Sequence, residues 1–255
     1  MERRWLAIMF ACACALLGCG RVVFDHRGGS PARDGGPGDL DECTGAADGT
    51  RCDDRDVCTP SSSCRDERCI PGNAFESCDV ADSAADFGTV QGGSDWYYGY
   101  WNASTDPDGS YDPDTDFDEM ESCDAEAWRP PGLCEMDRND PGYRWTSNLA
   151  WSLQHPEHQP DLELPVRRWI SDVSGPARIL ADHHVGGAAS DGTRALLLVD
   201  GVEVWRNDVE GGSEDGVQAS IDVELREGTV VEQLVHPVDV SADDTTYFSI
   251  VIQGR

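Results

Sequence analysis

The segment from Cys43 to Cys78 most limits what this chain can fold into. It reads CTGAADGTRCDDRDVCTPSSSCRDERCIPGNAFESC, with six cysteines and almost no aliphatic side chains. So little apolar surface cannot offset the chain entropy lost on ordering. Covalent cross-links must replace the missing burial, each contributing about 2–4 kcal/mol. Residues 42–79 therefore read as a small disulfide-rich module, which implies an oxidising compartment outside the cytosol.

The first residues specify export. Arg3 and Arg4 precede an apolar run from Trp5 to Leu17. A spanning helix needs about 20 apolar residues, whereas this run is shorter and ends in small ones, as a signal peptide does. Residues 1–18 are the expected signal. Leu16-Leu17-Gly18-Cys19 resembles the lipobox of bacterial lipoproteins, which implies cleavage before Cys19 and acylation of that residue. Each buried methylene contributes about 0.8 kcal/mol, so several acyl chains together hold a protein at a membrane. The competing reading is an ordinary secretory signal with Cys19 incidental. Gly20 stands where lipoprotein sorting associates Asp with inner-membrane retention, so the expected address is the cell envelope, at the outer membrane or cell surface.

Of eleven cysteines, Cys12 and Cys14 leave with the signal and Cys19 takes lipid. Eight remain: Cys43, Cys52, Cys58, Cys64, Cys69, Cys78, Cys123 and Cys134. An even number in an exported chain reads as disulfides, and the absence of any Cys-x-x-Cys leaves zinc-ribbon and thiol-redox readings without support. All 19 basic residues are arginine, which excludes a Schiff-base lysine and a P-loop lysine. With 49 acidic residues the formal net charge is -30, so the chain repels phosphate backbones and nucleic acid is not an expected partner.

Residues 19–41 are rich in Gly, Pro, Arg and Asp, lack any apolar period, and read as a flexible lipid-anchored linker. As a random coil such a segment spans about 25 Å. Within the module, CDDRDVCTPSSSCRDERC resembles EGF-like and dickkopf-like cysteine-rich segments of exported proteins. Arg55 and Glu67 stand where those modules commonly carry Gly. Six cysteines allow 15 connectivities, and spacing selects none. A spacer role is favoured for a scaffold stapled in place of a core.

Residues 85–255 change to short alternating runs separated by Gly, Asp and Pro, the mark of an all-β domain. In TRALLLVDGVEVWRNDV, Asp200-Gly201 predicts a two-residue type I′ hairpin pairing Val199 with Val202 and Leu197 with Val204. VQASIDVEL places Val217, Ala219, Ile221, Val223 and Leu225 on one face of a half-buried strand. Further strands are predicted at 96–101, 166–170, 177–182, 230–235 and 246–252. The expected architecture is an antiparallel β-sandwich or jelly roll.

The order of motifs carries a second resemblance. Phe87-Gly88-Thr89-Val90-Gln91-Gly92, Trp96-Tyr97-Tyr98-Gly99-Tyr100, Tyr143-Arg144-Trp145 and His155-Pro156 come first. Val166-Arg167-Arg168-Trp169 and Asp200-Gly201-Val202-Glu203-Val204-Trp205 follow. Together they resemble a β-sandwich module of exported bacterial proteins that is similar to jelly-roll carbohydrate-binding modules. That resemblance implies a non-catalytic glycan-binding role. Residues 103–142 are an acidic insertion that could cover or extend a binding face, with Cys123 and Cys134 stapling it to itself.

A glycan site needs flat rings for the apolar side of a sugar and polar groups for its hydroxyls. Trp96, Tyr98, Tyr100, Trp101 and Arg168 are the candidate ligand contacts. Alternation places Tyr98 and Tyr100 on one face and Tyr97 and Trp101 on the other, so one side should look outward. Core packing is the commoner use of such rings, and an ion pair the commoner use of a strand arginine.

Between residues 106 and 126 stand ten acidic side chains and no basic one. A solvated loop accounts for that density, as does calcium, which takes six to eight oxygens; its ligands would be Asp108, Asp112, Asp114 and Asp116. Phe117 occupies the place of the EF-hand glycine, so the loop is not an EF-hand. His155, His158, His183 and His184 would form a transition-metal site only if their loops met. No Gly-x-Ser-x-Gly elbow, P-loop or dinucleotide fingerprint is present. The sequence thus predicts a lipid-anchored protein that binds envelope or extracellular polysaccharide. Its alternatives are a structural or protein-binding surface lipoprotein and an envelope glycan hydrolase.

Overall fold

The computed structural model describes residues 43–52, 54, 58–59, 62–71, 79–136, 146–150, 153–157, 161–185, 190–211, 216–238 and 244–255. The expected signal, Cys19, the linker, Cys78, Tyr143-Arg144-Trp145 and His158 lie outside these residues. The chain divides into Met1–Asp39 and Leu40–Arg255, and every described residue belongs to the second unit.

Strands β1 (Ser63–Arg65) and β2 (Arg68–Ile70) form a hairpin in the cysteine-rich module. Next come β3 (Asp79–Asp82), β4 (Trp96–Asn102), β5 (Asp118–Glu119), β6 (Glu121–Ser122), β7 (Ala127–Arg129), β8 (Ser147–Leu149) and β9 (Leu153–His155). The long strands are β10 (Glu163–Ile170), β11 (Gly175–Val185), β12 (Gly192–Val199), β13 (Val202–Glu210), β14 (Val217–Leu225), β15 (Val230–Pro237) and β16 (Thr246–Gly254). Among the described residues there is no helix, and none therefore that is long and apolar enough to cross a membrane.

Two antiparallel sheets pack face to face. One runs β13-β12-β15-β10-β4-β5; the other runs β14-β11-β16-β9-β8-β7-β6, with β3 also paired to β16. The chain is thus the all-β sandwich that its alternating strands predict. Alternation sends Trp96, Tyr98, Trp169, Leu197 and Val231 from the first sheet and Ile179, Phe248, Ile250 and Ile252 from the second into one buried cluster. Full burial of a side chain of this size contributes about 1.5–3 kcal/mol. Tyr98 stacks on Trp128 with ring centroids 5.0 Å apart, and Phe87 meets Tyr98 edge-on at the same distance.

The Asp200-Gly201 hairpin forms as its residues require, with φ of 49° and 73° and Val199 opposite Val202. The pairing of Leu197 with Val204 is corrected: a bulge between Leu197 and Leu198 places Leu197 opposite Trp205. An extra residue on one strand shifts the register and increases twist.

Sulfur forms the interior of the cysteine-rich module. Cys43–Cys64 and Cys52–Cys69 are bonded, and Cys64 faces Cys69 across the β1–β2 hairpin. Cys43, Cys52 and Cys64 are buried together. Cys58 is also disulfide-bonded and packs against the interior of the sandwich, so the module is docked there. Cys123–Cys134 closes the acidic insertion on itself.

Candidate functional site

Strand β4 lies inside its sheet between β10 and β5. Trp96 and Tyr98 are 0 % and 1 % exposed between the sheets, and Tyr100 packs half-buried against the same cluster. Trp101 points the other way but is also buried, with Tyr111 tilted against it at 5.5 Å. This corrects the expectation that one side of the strand looks outward. The insertion covers the second face, so Trp96, Tyr98 and Trp101 offer no ring to a ligand.

The covering contact is built from charged and aromatic groups. Tyr111 Oη donates to Glu232 Oε1 at 2.6 Å, and Arg168 Nε donates to the same oxygen at 2.8 Å. Arg168 Nη2 donates to the Pro113 carbonyl at 2.6 Å, and the guanidinium lies 3.9 Å from the Phe117 ring centroid. Beneath, Trp101, Leu164, Val166, Leu198 and Leu234 form a second apolar cluster with Tyr111 and Phe117 packed on it. Glu232 is fully buried, and burial raises its carboxyl pKa, against the opposing pull of Tyr111 and Arg168. Burial likewise raises the Tyr111 phenol, with the neighbouring Glu232 charge adding to it. Arg168 is therefore a structural anchor of the insertion. Gly99 permits the arrangement, because a Cβ there would sit 2.5 Å from the Phe117 ring and 2.7 Å from the Asp118 carbonyl.

The acidic loop uses its carboxylates on its own backbone. Asp108 Oδ1 accepts from Ser110 N at 2.9 Å, Asp112 Oδ1 from Asp114 N at 2.9 Å, and Asp116 Oδ2 from Asp112 N at 2.7 Å. Such turns give Asp a role without a cation. Among the described residues, the group of ligand atoms lying within 4.8 Å of one another is Cys43, Cys52 and Cys69, all of them in disulfides. The structure does not bring Asp108, Asp112, Asp114 and Asp116 together into the arrangement expected of calcium ligands.

His183 and His184 point to opposite faces of β11, so they cannot share a metal through these side chains. His183 is buried; its Nε2 lies 3.1 Å from Thr193 Oγ1 and its Nδ1 3.1 Å from Asn207 Nδ2. Burial lowers its pKa to about 4, with His184 adding to the effect. His155 lies on β9.

The outer face of the eight-stranded sheet is open among the described residues. Here His184 and Tyr247 are cross-strand partners on β11 and β16, stacked with ring centroids 4.5 Å apart and planes 19° apart. Both are half-buried. Asp182 follows on the same face, with its Oδ1 3.6 Å from His184 Nδ1 and its Oδ2 accepting from Gln218 Nε2 at 3.3 Å. Gly216 closes this end, since a Cβ there would meet His184 Cβ at 3.1 Å and Asp182 Oδ1 at 3.3 Å. Farther along, Asp222 accepts from Arg178 at 2.9 Å and pairs with Arg255 at 2.7 Å, which holds its carboxyl below the usual range. The result is a surface of mixed character, with Leu180 opposite Val251 in its middle and one aromatic pair, a carboxylate and an amide at its end. Sequence reasoning missed it because the two rings belong to strands far apart in the chain. The alternation in TYFSIVI, which sends Tyr247 away from the interior, was the available signal.

No family model matches the chain, and no curated protein matches it. Among solved structures, it is similar to the Stig cyclase Fisc from Fischerella sp. TAU, solved with (3Z)-3-(1-methyl-2-pyrrolidinylidene)-3H-indole. The identity is 8%, the match covers 67% of this chain and 89% of that one, and the TM-score is 0.30. A likeness at that score carries no argument about this chain.

Proposed function

We infer that this protein is a lipid-anchored, extracytoplasmic binding protein that recognises envelope or extracellular polysaccharide without catalysis. The observation that carries the reading is the stacked His184–Tyr247 pair on an open sheet face, with Asp182 and Gln218 beside it. Rings of this kind accept the apolar side of a sugar, while the carboxylate and amide accept and donate to its hydroxyls. The anchor rests on the Leu16-Leu17-Gly18-Cys19 motif. Disulfide-bonded cysteines in the adjoining module suit the same compartment. A glycan array run with and without calcium tests the ligand class. Binding lost in both His184→Ala and Tyr247→Ala, with unchanged melting, supports the reading. No binding to any glycan overturns it in favour of a structural or protein-binding role.

A further inference from the structure

Strand β14 is a long sheet edge with only part of the usual protection. Among the described residues it pairs with β11 alone, in unbroken register from Gly175↔Leu225 to His183↔Val217. It contains no proline, no lysine and no bulge, and its two charged side chains, Asp222 and Glu224, stand on the outer face. The edge of the facing sheet differs, because β13 is bent by the bulge opposite Leu197 and Leu198. The remaining edge strands β5 and β6 have two residues each, and β3, of four residues, meets β16 through a register shift. An edge of nine residues such as β14 is a template for another strand.

The sequence of β14 says which strand fits. A second copy, antiparallel about a two-fold axis through Ile221, pairs residues whose numbers sum to twice 221. On the outer face Gln218 then meets Glu224, and Ser220 meets Asp222, so every carboxylate faces a neutral hydrogen-bonding group. On the inner face Val217 meets Leu225, Ala219 meets Val223, and Ile221 meets itself. All nine residues are used. Moving the axis one residue toward the C-terminus sets Asp222 against Asp222, which costs rather than stabilises. Moving it one residue the other way shortens the overlap at both ends. The net charge of -30 opposes self-association in general, but one of the strip's two carboxylates is compensated, since Arg178 and Arg255 both bond Asp222. Ala219, Ile221 and Val223 are only half-buried against the interior, so a partner strand covers apolar surface that one copy leaves wet.

We propose that two copies of this chain associate through β14, joining their eight-stranded sheets into one continuous sheet. The two-fold axis stands perpendicular to that sheet, so both His184–Tyr247 pairs lie on the same side. The dimer is inferred independently of any ligand for that face. A single strand pair places it in the weak, reversible class of interfaces.

The test is sedimentation velocity of the full chain in mild detergent from about 1 to about 100 µM, the range suited to a small interface. Ser220 is exposed, so its substitution leaves the fold of one copy intact. Ser220→Asp sets a carboxylate against Asp222 twice and should weaken the dimer about five- to tenfold; Ser220→Arg should tighten it by a similar factor. A monomer throughout the range overturns the proposal. So does a dimer whose affinity is the same in both variants.

Discussion

Tyr111 in the acidic insertion donates its phenol to Glu232 Oε1 at 2.6 Å, across 121 residues of sequence. That bond, with the Arg168 ion pair to the same oxygen, fixes the insertion over the outer face of the six-stranded sheet. Tyr111→Phe leaves a buried carboxylate with one donor fewer, which costs about 1–3 kcal/mol. Urea unfolding should show that loss, and limited proteolysis should cut between residues 103 and 117 faster than in the parent.

His183 gives the fold an acid-side sensitivity. Its folded pKa is lowered to about 4, whereas the unfolded imidazole titrates near about 6.5. A lowered value means the unfolded chain binds the extra proton first. Its contribution to stability is therefore present above about pH 6.5 and is lost as pH falls toward about 4, up to about 3 kcal/mol in all. Thermal melts at half-unit steps of pH should show this slope, and His183→Gln should flatten it.

Gly99→Ala should displace the insertion with its edge strand β5 while leaving the rest of the two sheets in place. Its Cβ would lie 2.5 Å from Phe117 and 2.7 Å from the Asp118 carbonyl, and backbone cannot swing aside as a side chain does. Overpacking of this kind costs about 1–3 kcal/mol. Faster amide exchange at Phe117 and Asp118, with slow exchange retained in β10 and β15, is the expected pattern.

Replacing both Cys123 and Cys134 with Ala opens a loop closed over a separation of 11 residues. Loop-closure entropy for that length corresponds to about 3 kcal/mol. Melting should fall accordingly, and Trp128, which bonds the Gly88 carbonyl at 2.7 Å, should report the loss through its fluorescence.

Sequence patterning reached the strands because side-chain alternation is local. VQASIDVEL reads correctly as one half-buried face, and its observed bounds are Val217–Leu225. The I′ turn was legible in Asp200-Gly201 because positive φ is a property of the residues themselves. The bulge beside it was not, because nothing in the local alternation marks Val204 as the extra residue of β13. The candidate site was less legible than the fold. Trp96, Tyr98 and Trp101 have the composition of a sugar platform, and nothing local says that an insertion lies over their second face.

By itself, the sequence determined the class of fold and the means of holding its weak parts together: alternating strands for a sandwich, and cysteines where apolar side chains are missing. Both follow from spacing and composition, which a short window contains. Only the tertiary structure decided which aromatic rings are interior and which meet water. That outcome depends on contacts such as Tyr111 with Glu232 and His184 with Tyr247, whose partners are distant in the chain and are brought together by strand register.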